Sequence, residues 1–446
     1  MQHAVFRDLL RISLPLMLGS FIQTLYNLTD AYFLGKLGKE ELSAPSIVLN
    51  LILFLILFAL GLSAAGTTLI SQAKGKGDQE RVDFYLGQTT LVIQILAFVI
   101  MGIGLVGANS LLRLLQTPDE VFQYAKDYMT IIFWGIPFLF GFFIIQGAMQ
   151  GIGDTKTPVK IQIVSVVLNV ALDPILIFGW FGCPAFGVKG AAFATVFARG
   201  VGSAISFIVL IRGRHGLALT RENLRPNKEA LLLLLRVGLP SALARSLSAL
   251  GFLVLQGIVN SFGASVIAAF GVGTRIVNLF NMPSMSISQG TAALIGQSLG
   301  AKDHERTRHI VVVSIKSVLG FIVPAMMVTF FWGNLVTKFF VNDPETIYYG
   351  ASLLRVMSVA VVFFGLFNVV AGTLQGAGDT KPLMYLQILR LWGIRVPGAY
   401  LLAYVAHFGP SGIWYAMLWS NIICFVVGLL WLRRGSWKTA IDVDTI

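Results

Sequence analysis

Long apolar runs separated by short polar turns dominate the chain. Twelve are readable, near 10–34, 44–71, 84–112, 124–150, 158–180, 188–211, 232–260, 265–296, 308–335, 346–375, 383–405 and 411–432. Each reaches the ~20 residues that a helix needs to cross a bilayer. Many exceed it, which predicts tilting or protrusion. The pattern predicts an all-α polytopic membrane protein with twelve transmembrane helices. The first run does not read as a cleaved leader: it is too long, carries Asp30 and lacks a small-residue cleavage pattern.

Composition excludes the alternatives. Of 446 residues, 56% are hydrophobic and 12% charged, about half the roughly 25% charged fraction of a soluble domain. The 33 Phe argue against disorder. Two cysteines, Cys183 and Cys424, are too few for a disulfide framework. All five histidines fall in or beside connecting segments, against a histidine metal site or proton relay. No nucleic-acid motif accompanies the net charge of +12; the bases are scattered between apolar runs and read as membrane orientation. Most Lys and Arg gather in connections on the N-terminal side, whereas the other side holds only Lys36, Lys39, Arg113, Lys126, Lys189 and Lys338. The positive-inside rule then places both termini in the cytoplasm, and a prokaryotic plasma (inner) membrane is expected.

The chain also repeats itself. Leu14-Pro15 recurs as Leu239-Pro240, and Gln150-Gly151-Ile152-Gly153-Asp154-Thr155-Lys156 recurs as Gln375-Gly376-Ala377-Gly378-Asp379-Thr380-Lys381, both 225 residues on. A third match, from Leu69 to Arg81 and from Leu294 to Arg306, has the same offset. The expected division is an N-terminal lobe of six spans (1–211), a cytoplasmic linker (212–231) containing Arg225-Pro226-Asn227, and a C-terminal lobe of six spans (232–446). Six is even, so both lobes insert the same way up, pseudo-symmetric about the membrane normal, with the substrate site expected between them.

These residues resemble the multidrug and toxin extrusion (MATE) family of secondary transporters over nearly the whole chain. The resemblance rests on Leu14-Pro15, the Gly-x-Gly-Asp-Thr-Lys turns, the twelve spans and the repeat. It is similar to the DinF-like branch, which pairs an aspartate in span 1 with one in span 5, here Asp30 and Asp173. The acids that the NorM-like branch carries in spans 7 and 10 are absent. The resemblance implies two six-helix lobes around a V-shaped central cleft, and cation-driven export.

The residues themselves point to a cation pocket. Asp30 and Asp173 are the only acids deep within apolar spans, where a charge costs about 2.5–3.5 kcal/mol and needs a partner, a cavity or a proton. Gln23, Asn27 and Asp30 share one helical face, as do Gln162, Ser165, Asn169 and Asp173. Carboxylates and amides so placed suit H⁺ or Na⁺, with Na⁺ expected at Asp30, Asn169, Asp173 and Thr195. Thr195 offers either an oxygen to this pocket or a bond to its own helix, and Arg199, one turn on, neutralises an acid if it points inward. The alternative is an aspartate bonded to helix backbone or to Arg199. Pro174 is expected to kink span 5 and Pro15 to interrupt span 1; the resemblance implies a bend near Pro15 that responds to Asp30. The Gly-Asp-Thr-Lys turns lack the spacing of a phosphate cradle and read as helix ends: Gly153 closes one helix and Asp154 caps the next. Gly102, Gly104 and Gly107 fit a dinucleotide fingerprint in letters alone, having no strand before them.

The second half has no acid in any span, yet holds Arg245, Arg275, Lys316, Arg355, Arg390 and Arg395 in or beside them. Arg275 and Arg395 read as deepest. Substrate contacts are expected from Gln23, Tyr26, Asn27, Phe33, Gln162, Gln256, Asn260, Arg275 and Met285. The function expected is a non-enzymatic antiporter exporting amphipathic small molecules for H⁺ and/or Na⁺. It needs no cofactor, nucleic acid or partner beyond the bilayer, and is expected to be monomeric. The alternative is a flippase for a lipid-linked or anionic precursor, suggested by the basic second lobe.

Overall fold

A computed structural model describes residues 2–213, 215–438 and 441; Arg214, one of the linker bases, lies outside them. The described residues are helical, with no strand among them. All twelve runs are helices, and among the described residues ten helices are long and apolar enough to cross a membrane. In chain order they are α1 (Gln2–Gly35), α2 (Lys39–Lys76), α3 (Gln79–Leu114), α4 (Asp119–Ile152), α5 (Lys156–Phe178), α6 (Val188–Ile211), α7 (Lys228–Asn260), α8 (Ala264–Gly300), α9 (His304–Phe340) and α10 (Pro344–Ala377). The eleventh run is compound: α11 (Thr380–Ile388), a π-helical stretch Leu389–Arg395, α12 (Val396–Tyr400) and a second π-helical stretch Leu401–Val405. The twelfth is α13 (Pro410–Arg434).

Local chemistry sets the ends. Asp78 and Asp303, 225 apart, each accept from the backbone N–H three residues on, Arg81 at 3.0 Å and Arg306 at 2.8 Å, as N-caps do. Gly153 and Gly378 close α4 and α10 in the left-handed conformation, with φ of 89° and 80°. Asp154 then accepts from the N–H groups of Lys156 and Thr157, both at 3.1 Å. The expected capping role is met from one residue before the helix boundary.

Helix packing follows the small residues. Gly147 and Gly151 face Ser63, Thr67 and Ile70 of α2, and Gly372 and Gly376 face Ser288 and Ala292 of α8. The same bond recurs in both places: Ser63 Oγ donates to Phe143 O at 2.8 Å, and Ser288 Oγ to Asn368 O at 2.6 Å. Gly104 belongs to this class as well, since a Cβ there would lie 2.1 Å from the Phe133 ring. Large apolar side chains such as Val106, Phe181 and Phe339 are exposed, as lipid-facing positions are.

The chain forms two compact units whose limits differ from the linear division at 211 and 232. The N-terminal unit is Pro15–Gly238; the C-terminal unit joins the residues up to Leu14 to the chain from Leu239 onward. Within the N-terminal unit, Gly238 at the start of α7 lies against Leu62 and Ala65. Within the C-terminal unit, Leu9, Ile12 and Ser13 lie against Gly290, and Asp8 pairs with Arg306 at 3.1 Å. The repeated Leu-Pro thus marks the crossover in both α1 and α7. α1 and α5 continue through Pro15 and Pro174 without leaving the helical conformation. The linker is docked rather than free. Gln88 Nε2 donates to Asn223 O and Arg225 O at 2.9 and 2.7 Å, and Gly87 leaves the gap that the Asn223 carbonyl occupies.

Candidate functional site: an acidic cluster in the N-terminal unit

Three helices of the N-terminal unit converge on the two aspartates. α5 carries Asn169 and Asp173 one turn apart, both fully buried, with Asn169 Nδ2 donating to Asp173 Oδ1 at 3.3 Å. α1 brings Asp30 near enough to Asp173 for the two carboxyls to act on each other electrostatically. α6 contributes Thr195, whose hydroxyl accepts from buried Tyr26 Oη at 2.9 Å. The Thr195 side chain therefore joins α1 to α6. Arg199 stacks over the Tyr26 ring at 5.9 Å and acts electrostatically on Asp30. Tyr128 of α4, which the sequence did not single out, faces the same charges; a lone tyrosine in an apolar run gives no distinguishing signal.

The cluster is short of donors. Asp30 Oδ1, Asn169 Oδ1 and Asp173 Oδ2 are buried with no hydrogen-bond partner. Unpartnered buried acceptors are costly, and here all three are oxygens. A proton or a hard cation such as Na⁺ supplies what they lack, so these residues fit either ion.

The other expected residues are distributed as follows. Gln162 Nε2 donates to Gly19 O and Gln23 Oε1, both at 3.2 Å, tying α5 to α1. Asn27 is exposed and accepts from Gln23 at 3.3 Å. Phe33 packs on Phe178, ring centroids 6.2 Å apart, beside Leu34, Ile177 and Ala191. Gln256 and Asn260 bond each other along α7 at 2.9 Å. Met285 is exposed.

Of the two bases expected to lie deepest, only Arg395 is buried. Arg275 is exposed on α8. Arg390 and Arg395 are the buried ones, each 6% exposed. Arg395 Nε donates to Ser420 Oγ at 2.9 Å and Nη2 to Asn421 Oδ1 at 2.6 Å. Arg390 donates to Gln387 Oε1 from Nη2 at 2.8 Å and from Nε at 3.2 Å, and lies over the Phe364 and Phe367 rings. Gln387, Ser420 and Asn421 were passed over in the sequence, although Ser420-Asn421 is a polar pair inside an apolar run.

Comparisons with known proteins agree with this architecture. The MatE family profile matches residues 15–175 and 240–401, two stretches 225 apart that begin at the crossover prolines. A probable multidrug resistance protein of Bacillus subtilis, YoeA, is 30% identical over 417 residues, covering 92% of this chain and 90% of its own. A second from that organism, YpnP, is 27% identical, covering 98% and 97%. A crystal structure of a MATE protein in a bent conformation superposes with a TM-score of 0.91 at 25% identity, over 98% of each chain.

Proposed function

Because the chain belongs to the MatE family, whose members are membrane transporters and not enzymes, we propose that it is an antiporter. It exports amphipathic organic compounds in exchange for H⁺ or Na⁺, with coupling confined to the N-terminal unit. The observation that carries this reading is the set of three buried oxygens, on Asp30, Asn169 and Asp173, that lack donors. Nothing among the relatives favours the flippase alternative, and it is not retained.

The cluster supplies a two-state element. Two ionised carboxylates close together in a buried site repel, and a proton or a cation between them removes that repulsion. Cation uptake draws α1, through Asp30, toward Asp173 and Asn169 on α5; the Tyr26–Thr195 bond holds α1 to α6 beside them. Cation release leaves the carboxylates repelling, and α1 moves away. A ligand shifts such an equilibrium only by its differential affinity for the two states. Exported compound must therefore favour the cation-free state. An inward gradient then drives export; each charge crossing 100 mV contributes about 2.3 kcal/mol.

Reconstituted vesicles with pH and Na⁺ gradients imposed separately test this. Export of an amphipathic dye should follow at least one gradient. Export that needs neither gradient overturns the reading. The orientation, with both termini cytoplasmic, has its own reporter. Cys183 is exposed in the turn between α5 and α6, whereas Cys424 is buried. An impermeant thiol reagent should label Cys183 from outside intact cells; labelling only after permeabilisation reverses the orientation.

A further inference from the structure

The two buried arginines of the C-terminal unit have no counter-charge. Among the described residues neither Arg390 nor Arg395 forms an ion pair, and their hydrogen-bond acceptors are all neutral. Asn421 Oδ1 receives Arg395 at 2.6 Å and, at 3.5 Å, also Arg390 Nη1, while its own Nδ2 donates to Ala360 O at 2.9 Å. One neutral oxygen therefore stands between two guanidiniums. Gln387 and Ser420 hold the other edges. Such partners orient the cations without neutralising them, and the bonds of Arg395 use its Nε and Nη2 and not its Nη1.

The backbone is shaped for this pairing. In an α-helix, residues five apart point about 140° away from each other. Arg390 and Arg395 lie in the π-helical stretch Leu389–Arg395, where i→i+5 bonding brings residues five apart toward one face. Such stretches recur at functional sites.

The place in the repeat is informative too. Shifted by 225, Ser420 falls on Thr195, Gln387 on Gln162, and the arginine helix on α5, which carries Asp173. The arginine cluster thus occupies in the second repeat the position of the acidic cluster in the first, with opposite charge.

We propose that Arg390 and Arg395, with Ser420 and Asn421, form an anion-binding site within the C-terminal unit. Its ligand is a compact anion: free chloride or phosphate, or the carboxylate or phosphate group of an exported compound. Two desolvated guanidiniums converging on neutral acceptors are the chemistry that recognises such groups.

Thermal unfolding of the purified full chain tests the site, and this arm does not depend on the antiport reading. Sodium chloride and sodium phosphate are titrated against sodium isethionate, a bulkier anion, at constant ionic strength. At least one compact anion should stabilise the wild-type chain saturably. Arg395→Gln should weaken apparent affinity on the order of tenfold or more, the scale of losing one charge-assisted bond, and Arg395→Lys less. Vesicle export then separates the sources. If the ligand is a substrate group, Arg395→Gln impairs an anionic dye and spares a cationic one; if it is a free anion, export of both dyes falls when compact anions are withdrawn. No saturable anion effect on the wild-type chain overturns the proposal, as does an effect unchanged in both Arg395→Gln and Arg390→Gln. Should Arg395→Gln fail to fold, the wild-type titration and Arg390→Gln decide.

Discussion

Thr195 and Ser420 stand 225 residues apart at corresponding places in the two units, and each ends up beside buried charge of a different sign. Thr195 accepts from Tyr26 next to Asp30 and Asp173; Ser420 accepts from Arg395. Around them the packing is held in common. The Ser63–Phe143 and Ser288–Asn368 bonds, the Asp78 and Asp303 caps and the Gly153 and Gly378 closures recur at the same offset. Close helix packing constrains small residues and caps alike in both copies, because any added atom collides with a neighbour. A polar pocket has only to satisfy its own charges. The comparison teaches that one backbone plan can be retained while the chemistry inside it is reversed.

The largest expected effect breaks the acidic side of the comparison. Asp30→Asn should reduce gradient-driven export to background while leaving a folded chain, because the amide keeps the shape and removes the exchangeable charge. Asp173→Asn should act in the same direction but less severely, since Asn169 and Asp30 still present oxygens. Export by Asp30→Asn at the wild-type rate under both gradients removes the acidic cluster from coupling.

A second prediction probes the shared packing. A Cβ at Gly372 would lie 2.3 Å from the Ser288 backbone carbonyl oxygen, whereas at Gly147 the 2.3 Å neighbour is the rotatable Ser63 hydroxyl. Overpacking of this kind costs about 1–3 kcal/mol. Gly372→Ala should sit at the upper end of that range and Gly147→Ala nearer the lower, read as a larger fall in unfolding temperature for Gly372→Ala. The reverse order contradicts the packing account.

The smallest effect concerns the two Gly-Asp-Thr-Lys turns. Asp154 is a working cap, so Asp154→Ala should cost about 1 kcal/mol. Asp379 makes no capping bond, and burial pushes its carboxyl up from the ordinary range. A carboxyl raised in the folded state favours folding most when protonated. Its contribution therefore declines as pH rises from the unfolded value of about 4 through the folded one, and stays low above it. Asp379→Ala should accordingly gain stability relative to wild type across that window, whereas Asp154→Ala should not. Unfolding temperatures of both variants followed from acid to neutral pH check the contrast.

Twelve spans, the 225-residue repeat and the intramembrane acids were all legible along the chain. Apolar length, identical turn residues and a charge in a lipid-facing run are local properties, read without knowing any neighbour. The helical stripes through Asn169 and Asp173 correctly placed their side chains on one face. That Arg390 and Arg395 share partners was not legible, because helical periodicity assumes 3.6 residues per turn and the backbone there is π-helical. The exposure of Arg275 was not legible either, because a base inside an apolar run has the same sequence signature whether it ends up exposed or buried. The buried bond of Tyr26 to Thr195 depends on where α6 packs, which its position in the first run does not reveal.

The sequence by itself determined the class of protein, the number of spans and the identity of the charged side chains, since hydrophobic length and composition fix what can cross a bilayer. Tertiary structure alone decided which charges meet. It brought Asp30 against Asp173 from helices more than a hundred residues apart, turned two arginines inward around one asparagine, and passed α1 and α7 from one unit to the other at Pro15 and Pro240. Each of these is a relation between surfaces packed together, and no single stretch of chain carries it.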